Sequence, residues 1–238
     1  MKRSEVNRQI EGALDFAESL QFKLPPFARW TPQEWASKGH EADEIRQNRL
    51  GWDITDFGGG DFRRQGLTLF TIRNGNPKGP ANPGRPSKTY CEKLLIADED
   101  QVTPMHFHWA KMEDIINRGG GILVIEVHAA ARDETLSPEP VQVSVDGVVR
   151  TVDAGTKIEL HPGESITLPP YLYHAFWAKK GHGRVLSGEV SAVNDDERDN
   201  RFLAPLGRFP AIEEDEPPRF LLCNEYPAAR QGARAGNG

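Results

Sequence analysis

His106, His108 and Glu113 form a compact group of potential metal donors within the stretch Thr103-Pro-Met-His-Phe-His-Trp-Ala-Lys-Met-Glu-Asp114. On an extended strand successive side chains alternate between faces, so His106 and His108 point the same way while Met105 and Phe107 point the other. Two imidazoles side by side make a half-site for a divalent ion. Glu113 follows five residues after His108, which is enough chain to turn and return a carboxylate to the same ion.

Such a half-site needs a rigid strand beneath it. Strands are predicted at Leu67–Ile72, Tyr90–Ala97, Val102–His108, Ile122–Ala129, Val141–Val145 and Val148–Val152, and further on at Thr156–Leu160, Ser165–Leu168, Leu172–Ala178 and Arg184–Val190. Asp146-Gly147 is a two-residue hairpin signal. Residues 73–89 are rich in proline and glycine and read as a long loop. Many short strands with regular turn residues indicate a barrel or sandwich. The first fifty residues read differently. Val6, Ile10, Ala13, Leu14, Ala17 and Leu20 recur at helical spacing with Ser4 placed to cap them. Thr31-Pro-Gln-Glu34 is a capping box that opens a second helix, and a third is expected over Glu41–Leu50, ending at Gly51. The organisation expected is a helical arm over 1–60, a β-barrel over 61–227 and a frayed tail over 228–238.

The spacing around the histidines carries a further signal. The first block reads His-x-His-x4-Glu-x6-Gly, ending at Gly120; the second runs Gly163-x5-Pro169-x4-His174. These blocks resemble the paired motifs of the cupin superfamily, β-barrels in which the second block supplies one more histidine. The resemblance therefore implies a fourth ligand, His174, and a mainly β fold of the double-stranded β-helix or jelly-roll type. Tyr171 stands where cupins usually carry glycine, and Ala178 where they often carry asparagine. Three nitrogens and one oxygen without a thiolate suit Mn, Fe, Co, Ni or Zn. On an octahedral ion such a set leaves two adjacent positions for substrate or water.

Cupin ligands do not name a reaction. The longer stretches Pro104-Met-His-Phe-His-Trp-Ala-Lys-Met-Glu-Asp-Ile-Ile-Asn-Arg-Gly-Gly-Gly121, Leu168-Pro-Pro-Tyr-Leu-Tyr-His-Ala-Phe-Trp177 and Gly188-Glu-Val-Ser-Ala-Val-Asn-Asp-Asp-Glu-Arg-Asp-Asn-Arg-Phe202 resemble the D-lyxose isomerases. That resemblance implies interconversion of D-lyxose with D-xylulose and of D-mannose with D-fructose, manganese as the usual metal, and a homodimer. Such a reaction needs a Lewis acid and a base that moves a proton between two carbons through an enediol. Glu189, on a late strand with few polar positions, is the candidate base, since burial of a carboxylate raises its proton affinity. Lys111 can stabilise charge developing on a substrate oxygen. Lys93, Asp195, Asp199 and Arg201 are candidates for the sugar hydroxyls, and Trp109 and Trp177 for its apolar faces.

The remaining observations bound the alternatives. A net charge of −6 gives no electrostatic reason to expect nucleic acid as partner. No apolar run is long enough to span a bilayer, and charged residues stand where a signal peptide would need its apolar stretch, so the cytoplasm is expected. Cys91 and Cys223 read as buried bystanders. With iron, the same ligands could serve a dioxygenase, and a sugar-binding cupin without catalysis is the other alternative. Anaerobic assay separates the dioxygenase from an isomerase, which needs no oxygen.

Overall fold

The computed structural model describes residues 1–79, 86–196, 198–207 and 210–230. Strands β1 (Gly51–Thr55), β2 (Leu67–Arg73), β3 (Tyr90–Ala97), β12 (Val185–Ala192), β5 (Glu113–Gly120), β10 (Ser165–Leu168), β7 (Val141–Val145) and β8 (Val148–Val152) are neighbours in that order in one antiparallel sheet. A second sheet orders β13 (Arg201–Phe202), β4 (Thr103–Phe107), β11 (Leu172–Ala178), β6 (Leu123–Ala129) and β9 (Thr156–Leu160). The two sheets pack their inner faces together as the expected cupin-type barrel.

The large sheet is buried on both faces where β1, β2, β3 and β12 lie. Leu67, Leu69, Leu95 and Ile115 join the core between the sheets. Phe70, Ile72, Leu94, Ile96 and Leu186 face the other way, onto Val6, Ile10 and Leu14 of helix α1 (Arg3–Ser19). Apolar residues on both faces explain why β2 and β3 read as continuous apolar runs without alternation. The Asp146-Gly147 hairpin forms as expected, with φ of 49° and 80° at its two central residues.

The helical arm differs from expectation at its edges. Ser4 does not cap α1: the N-cap is Lys2, and the Ser4 hydroxyl donates to Asp215 Oδ2 at 2.7 Å. Beside it the buried Arg3 guanidinium reaches Glu214 and Glu225, so the C-terminal segment holds the helix start. The Thr31 capping box forms and opens α2 (Pro32–Ser37). The third helix is shorter than expected, a 3-10 turn His40–Ala42 followed by α3 (Asp43–Gln47). Gly51 ends the helical region, but it also opens β1, which pairs with β2 and places the start of the sheet inside the segment assigned to the arm. Glycine is required there because φ is +111° and the Tyr226 hydroxyl fills the space of a Cβ.

The C-terminal segment is tied down as far as it is described. Tyr226 stacks on Trp35 and donates to the Leu50 carbonyl at 2.8 Å, and the Arg230 N–H donates to the Lys38 carbonyl at 2.9 Å. Residues 231–238 of the expected tail, and 80–85 of the long loop, lie outside the described residues. Both cysteines are buried, and burial pushes the Cys91 thiol up to about 12.

Gly120 closes β5 against two elements at once. Its φ is +90°, and a Cβ would lie 2.3 Å from the Arg184 carbonyl and 2.9 Å from the Phe16 ring of α1. Gly120→Ala combines a left-handed backbone with a clash against main chain, so we expect a loss of about 1–3 kcal/mol or more. Urea unfolding of the two proteins measures it; an unchanged midpoint would show that this corner relaxes freely.

Candidate metal centre and active site

Strand register brings the two histidine blocks together. His174 on β11 is directly opposite His106 on β4, and their ring centroids lie 4.2 Å apart. One ring nitrogen from each of His106, His108 and His174 lies within 4.8 Å of the others, and all three residues are buried. Each Nδ1 faces a backbone carbonyl: Pro104 at 2.8 Å, Asp199 at 2.6 Å and Leu172 at 3.0 Å respectively. Opposite a carbonyl only Nδ1–H can act, so the proton is placed there and the Nε2 lone pair is left for the cavity.

Glu113, the first residue of β5, completes the group. Its Oε1 lies 3.1 Å from His174 Nε2 and 3.5 Å from His108 Nε2. Neither Nε2 makes a hydrogen bond of acceptable geometry despite that proximity, and both are fully buried. Buried nitrogens of this kind are costly unless a ligand satisfies them. Burial, and then His174 and His108, push His106 well below the ordinary histidine range, keeping its ring neutral. Burial alone would raise the Glu113 carboxyl; Lys111, His108 and His174 together outweigh it and hold the group well below the usual carboxylate range. A neutral imidazole, directed lone pairs and an ionised carboxylate suit a divalent cation, so the residues fit the metal that the cupin class implies.

A second buried cluster adjoins the first. Lys111 Nζ lies 2.6 Å from Glu113 Oε2 and 2.8 Å from Glu189 Oε1, while Lys93 Nζ lies 3.2 Å from Glu189 Oε2. Lys93 and Glu189 are cross-strand partners on β3 and β12, which fixes their approach. Asp196 Oδ1 is 3.6 Å from Lys93 Nζ. Burial would lower both lysines, but the surrounding carboxylates raise them above the ordinary value, Glu113 foremost for Lys111 and Asp196 foremost for Lys93. Both are therefore ammonium groups. Glu189 is thus not an isolated carboxylate in an apolar wall, as its strand had suggested; two cations and the Ser191 hydroxyl bond to it.

Most of these groups, though not His174, line one cavity of about 680 Å³, counting its solvent-facing mouth. His106, His108, Glu113, Lys93, Lys111, Glu189, Asp196 and Asn200 line its polar side; Phe57, Leu67, Leu69, Leu95, Ile115, Phe176 and Phe202 line the rest. The size suits a small ligand.

Of the expected sugar contacts, only Lys93 lines this cavity. Trp177 is one residue from Phe176 on β11 and so points outward, where Lys157 covers its ring. Trp109 and Arg201 donate to the two carboxylate oxygens of Glu134, each at 2.8 Å, away from the cavity. Both oxygens of Asp199 accept backbone N–H groups, from Ala110 and Lys111, at 2.9 Å. Asp199 therefore shapes the loop that carries His108 and Lys111 rather than clasping hydroxyls. Asp195 lines a neighbouring polar cavity. Sequence reasoning missed Asp53, Thr55, Asp196 and Asn200, which line the main cavity. Asp196 and Asn200 stand among the candidates Asp195, Asp199 and Arg201; Asp53 and Thr55 gave no signal because β1 was not expected.

Fold and site define a cupin-type barrel in which three buried histidines could hold a metal ion beside a buried lysine–carboxylate cluster. A family model described as D-lyxose isomerase matches residues 1–226. The D-lyxose/D-mannose isomerase of Serratia proteamaculans is 51% identical over 95% of this chain and 98% of its own length; that of Escherichia coli O157:H7 is 48% identical over the same shares. The L-ribose isomerase of Acinetobacter sp. DL28, solved in complex with L-ribose, has the same fold, with a TM-score of 0.57 over 90% of this chain and 98% of that one at 15% identity. This chain belongs to the D-lyxose isomerase family, and it is a sugar isomerase rather than a dioxygenase or a binding module.

Proposed function

We propose that this protein interconverts D-lyxose with D-xylulose and D-mannose with D-fructose by proton transfer through an enediol. It uses one divalent metal, manganese in preference to Co, Ni, Fe or Zn, held by His106, His108, Glu113 and His174. The observation that carries this is one cavity lined by His106, His108, Glu113, Lys111 and Glu189, with the buried His108 and His174 Nε2 atoms lacking a hydrogen-bond partner and Lys111 paired to Glu189. When bound, the metal acts as a Lewis acid on the neighbouring hydroxyl and carbonyl oxygens of the sugar. Glu189 takes the proton from the hydroxyl-bearing carbon and delivers a proton to the former carbonyl carbon, while the hydroxyl proton passes to the former carbonyl oxygen. Lys111 donates to the oxygen that gains charge, and it also fixes Glu113 by holding Oε2 so that Oε1 faces the histidines. Lys93 and Asp196 contact sugar hydroxyls from the same wall. The apolar side keeps water from the reacting carbons, which strengthens each of these interactions. A homodimer in the cytoplasm is part of the same reading; light scattering on the purified protein tests the dimer.

The deciding experiment incubates chelator-treated and metal-reconstituted protein with a panel of aldoses and looks for ketose. Activity is expected to vanish on chelation and to return better with Mn than with Mg, which prefers all-oxygen sites. Full turnover by protein verified free of metal would overturn the reading.

A further inference from the structure

We propose that Asn194 is a positioning residue for the two active-site lysines. Its side-chain oxygen is the neutral third acceptor that anchors Lys93 and releases Lys111 to the substrate. This rests on the reading of Lys111 and Glu189 as the groups that act on the sugar.

The argument is a count of donors. An ammonium group has three N–H bonds to give and accepts none. Lys111 Nζ faces Glu113 at 2.6 Å, Glu189 at 2.8 Å and Asn194 Oδ1 at 3.3 Å. Lys93 Nζ faces Asn194 Oδ1 at 2.7 Å, Glu189 at 3.2 Å and Asp196 at 3.6 Å. All three donors of Lys111 are therefore committed, and a sugar oxygen can be held only if one acceptor yields. The bonds to Glu113 and Glu189 join opposite full charges at 2.6 and 2.8 Å, whereas the bond to Asn194 meets a neutral amide at 3.3 Å and is the weakest of the three. The long contact to Asn194 is the one that yields, while the short contact from Lys93 keeps Asn194 in place.

The orientation of the amide is fixed by its surroundings. Two ammonium groups on one side require oxygen, not nitrogen, at that position. The Asn194 backbone is locked as well: its N–H donates to Asn74 Oδ1 and its carbonyl accepts from Asn74 Nδ2, both at 3.0 Å. Asn194 does not line the main cavity but a neighbouring one, so it acts on the sugar only through the lysines.

The test compares wild type with Asn194→Asp and Asn194→Leu, all metal-loaded, by steady-state kinetics on D-lyxose and D-mannose, with metal content and Tm alongside. Asn194→Asp keeps shape and acceptor but offers Lys111 a charged partner that does not yield. We expect kcat and kcat/KM to fall together by on the order of tenfold or more, with KM within about twofold and with Tm and metal content retained. Asn194→Leu removes the acceptor and is expected to lose kcat and Tm together. A merely structural asparagine would tolerate aspartate, so Asn194→Asp within about twofold of wild-type kcat overturns the inference, as does a loss that tracks missing metal. A wild-type enzyme that forms no ketose would bring down the functional reading, and this inference with it. An active wild type with a silent Asn194→Asp brings down the inference alone.

Discussion

His106→Ala should leave a folded protein that no longer binds its metal and turns over at least roughly 10–100-fold more slowly, the range known for residues one step further from a metal. His106 is at the centre of the ligand group, with its ring 4.2 Å from that of His174 and 5.2 Å from that of His108. Its Nδ1 faces the Pro104 carbonyl, which fixes the orientation of the ring toward the other two histidines. Folding should survive because the backbone of residue 106 is paired on both sides, with β11 and with β13. The readout that separates metal loss from unfolding is the response of Tm to added Mn. A ligand present at a hundred times its Kd stabilises by about 2.7 kcal/mol. Wild type should show a shift on that scale, and His106→Ala should melt like metal-free wild type whether or not Mn is present. A variant that keeps both the Mn-dependent shift and its turnover would remove His106 from the metal centre.

The ligand half-site could be read because one rule governs it: alternation along a strand placed His106 and His108 together, and β4 forms where expected. The same rule, applied to the aromatic candidates, would have set Trp177 on the face opposite His174 and Trp109 opposite His108; the structure does so. Strand β5 was hidden for a functional reason. Its inward positions are Glu113, Ile115 and Asn117, and only one of these is a large apolar residue; past a register shift, Gly119 turns to the face that meets α1. Glu113 serves the site, Asn117 bonds the Gly121 and Leu160 carbonyls, and Gly119 leaves room for Leu20. Local pattern and global fold conflict where a strand carries function, and the pattern is then lost. Strand β1 was hidden because its neighbours look helical and its pairing with β2 is set by tertiary contacts, including a bridge from Trp52 to Leu222 far along the chain. The buried lysine pair was only half legible. Lys93 and Lys111 could each be named, but that they share Glu189 and Asn194 depends on the register of β3 with β12 and on a loop held by Asn74.

That shared carboxylate governs the last prediction. Glu189→Gln should retain metal and fold but lower turnover by roughly 100-fold or more, the scale of general-base contributions. The structure adds a complication to this substitution. Glu189 accepts Lys111 on one oxygen and Lys93 on the other, so the glutamine NH2 must face an ammonium group, donor against donor. A large loss in glutamine alone would therefore mix lost basicity with displaced lysines. Glu189→Asp separates the two, because it shortens the arm yet still offers both lysines a carboxylate. If basicity carries the reaction, aspartate should retain clearly more turnover than glutamine; if placement alone matters, the two should fall together. Reaction in D2O supplies an independent reading. Where the proton held by Glu189 exchanges with solvent, proton transfer places deuterium at C1 or C2 of the product; a hydride shift between carbons does not. Near-normal turnover in Glu189→Gln would move the base elsewhere in the cavity. Such turnover together with a fully protiated product would make the hydride route the mechanism, with Glu189 serving only to hold the two lysines apart.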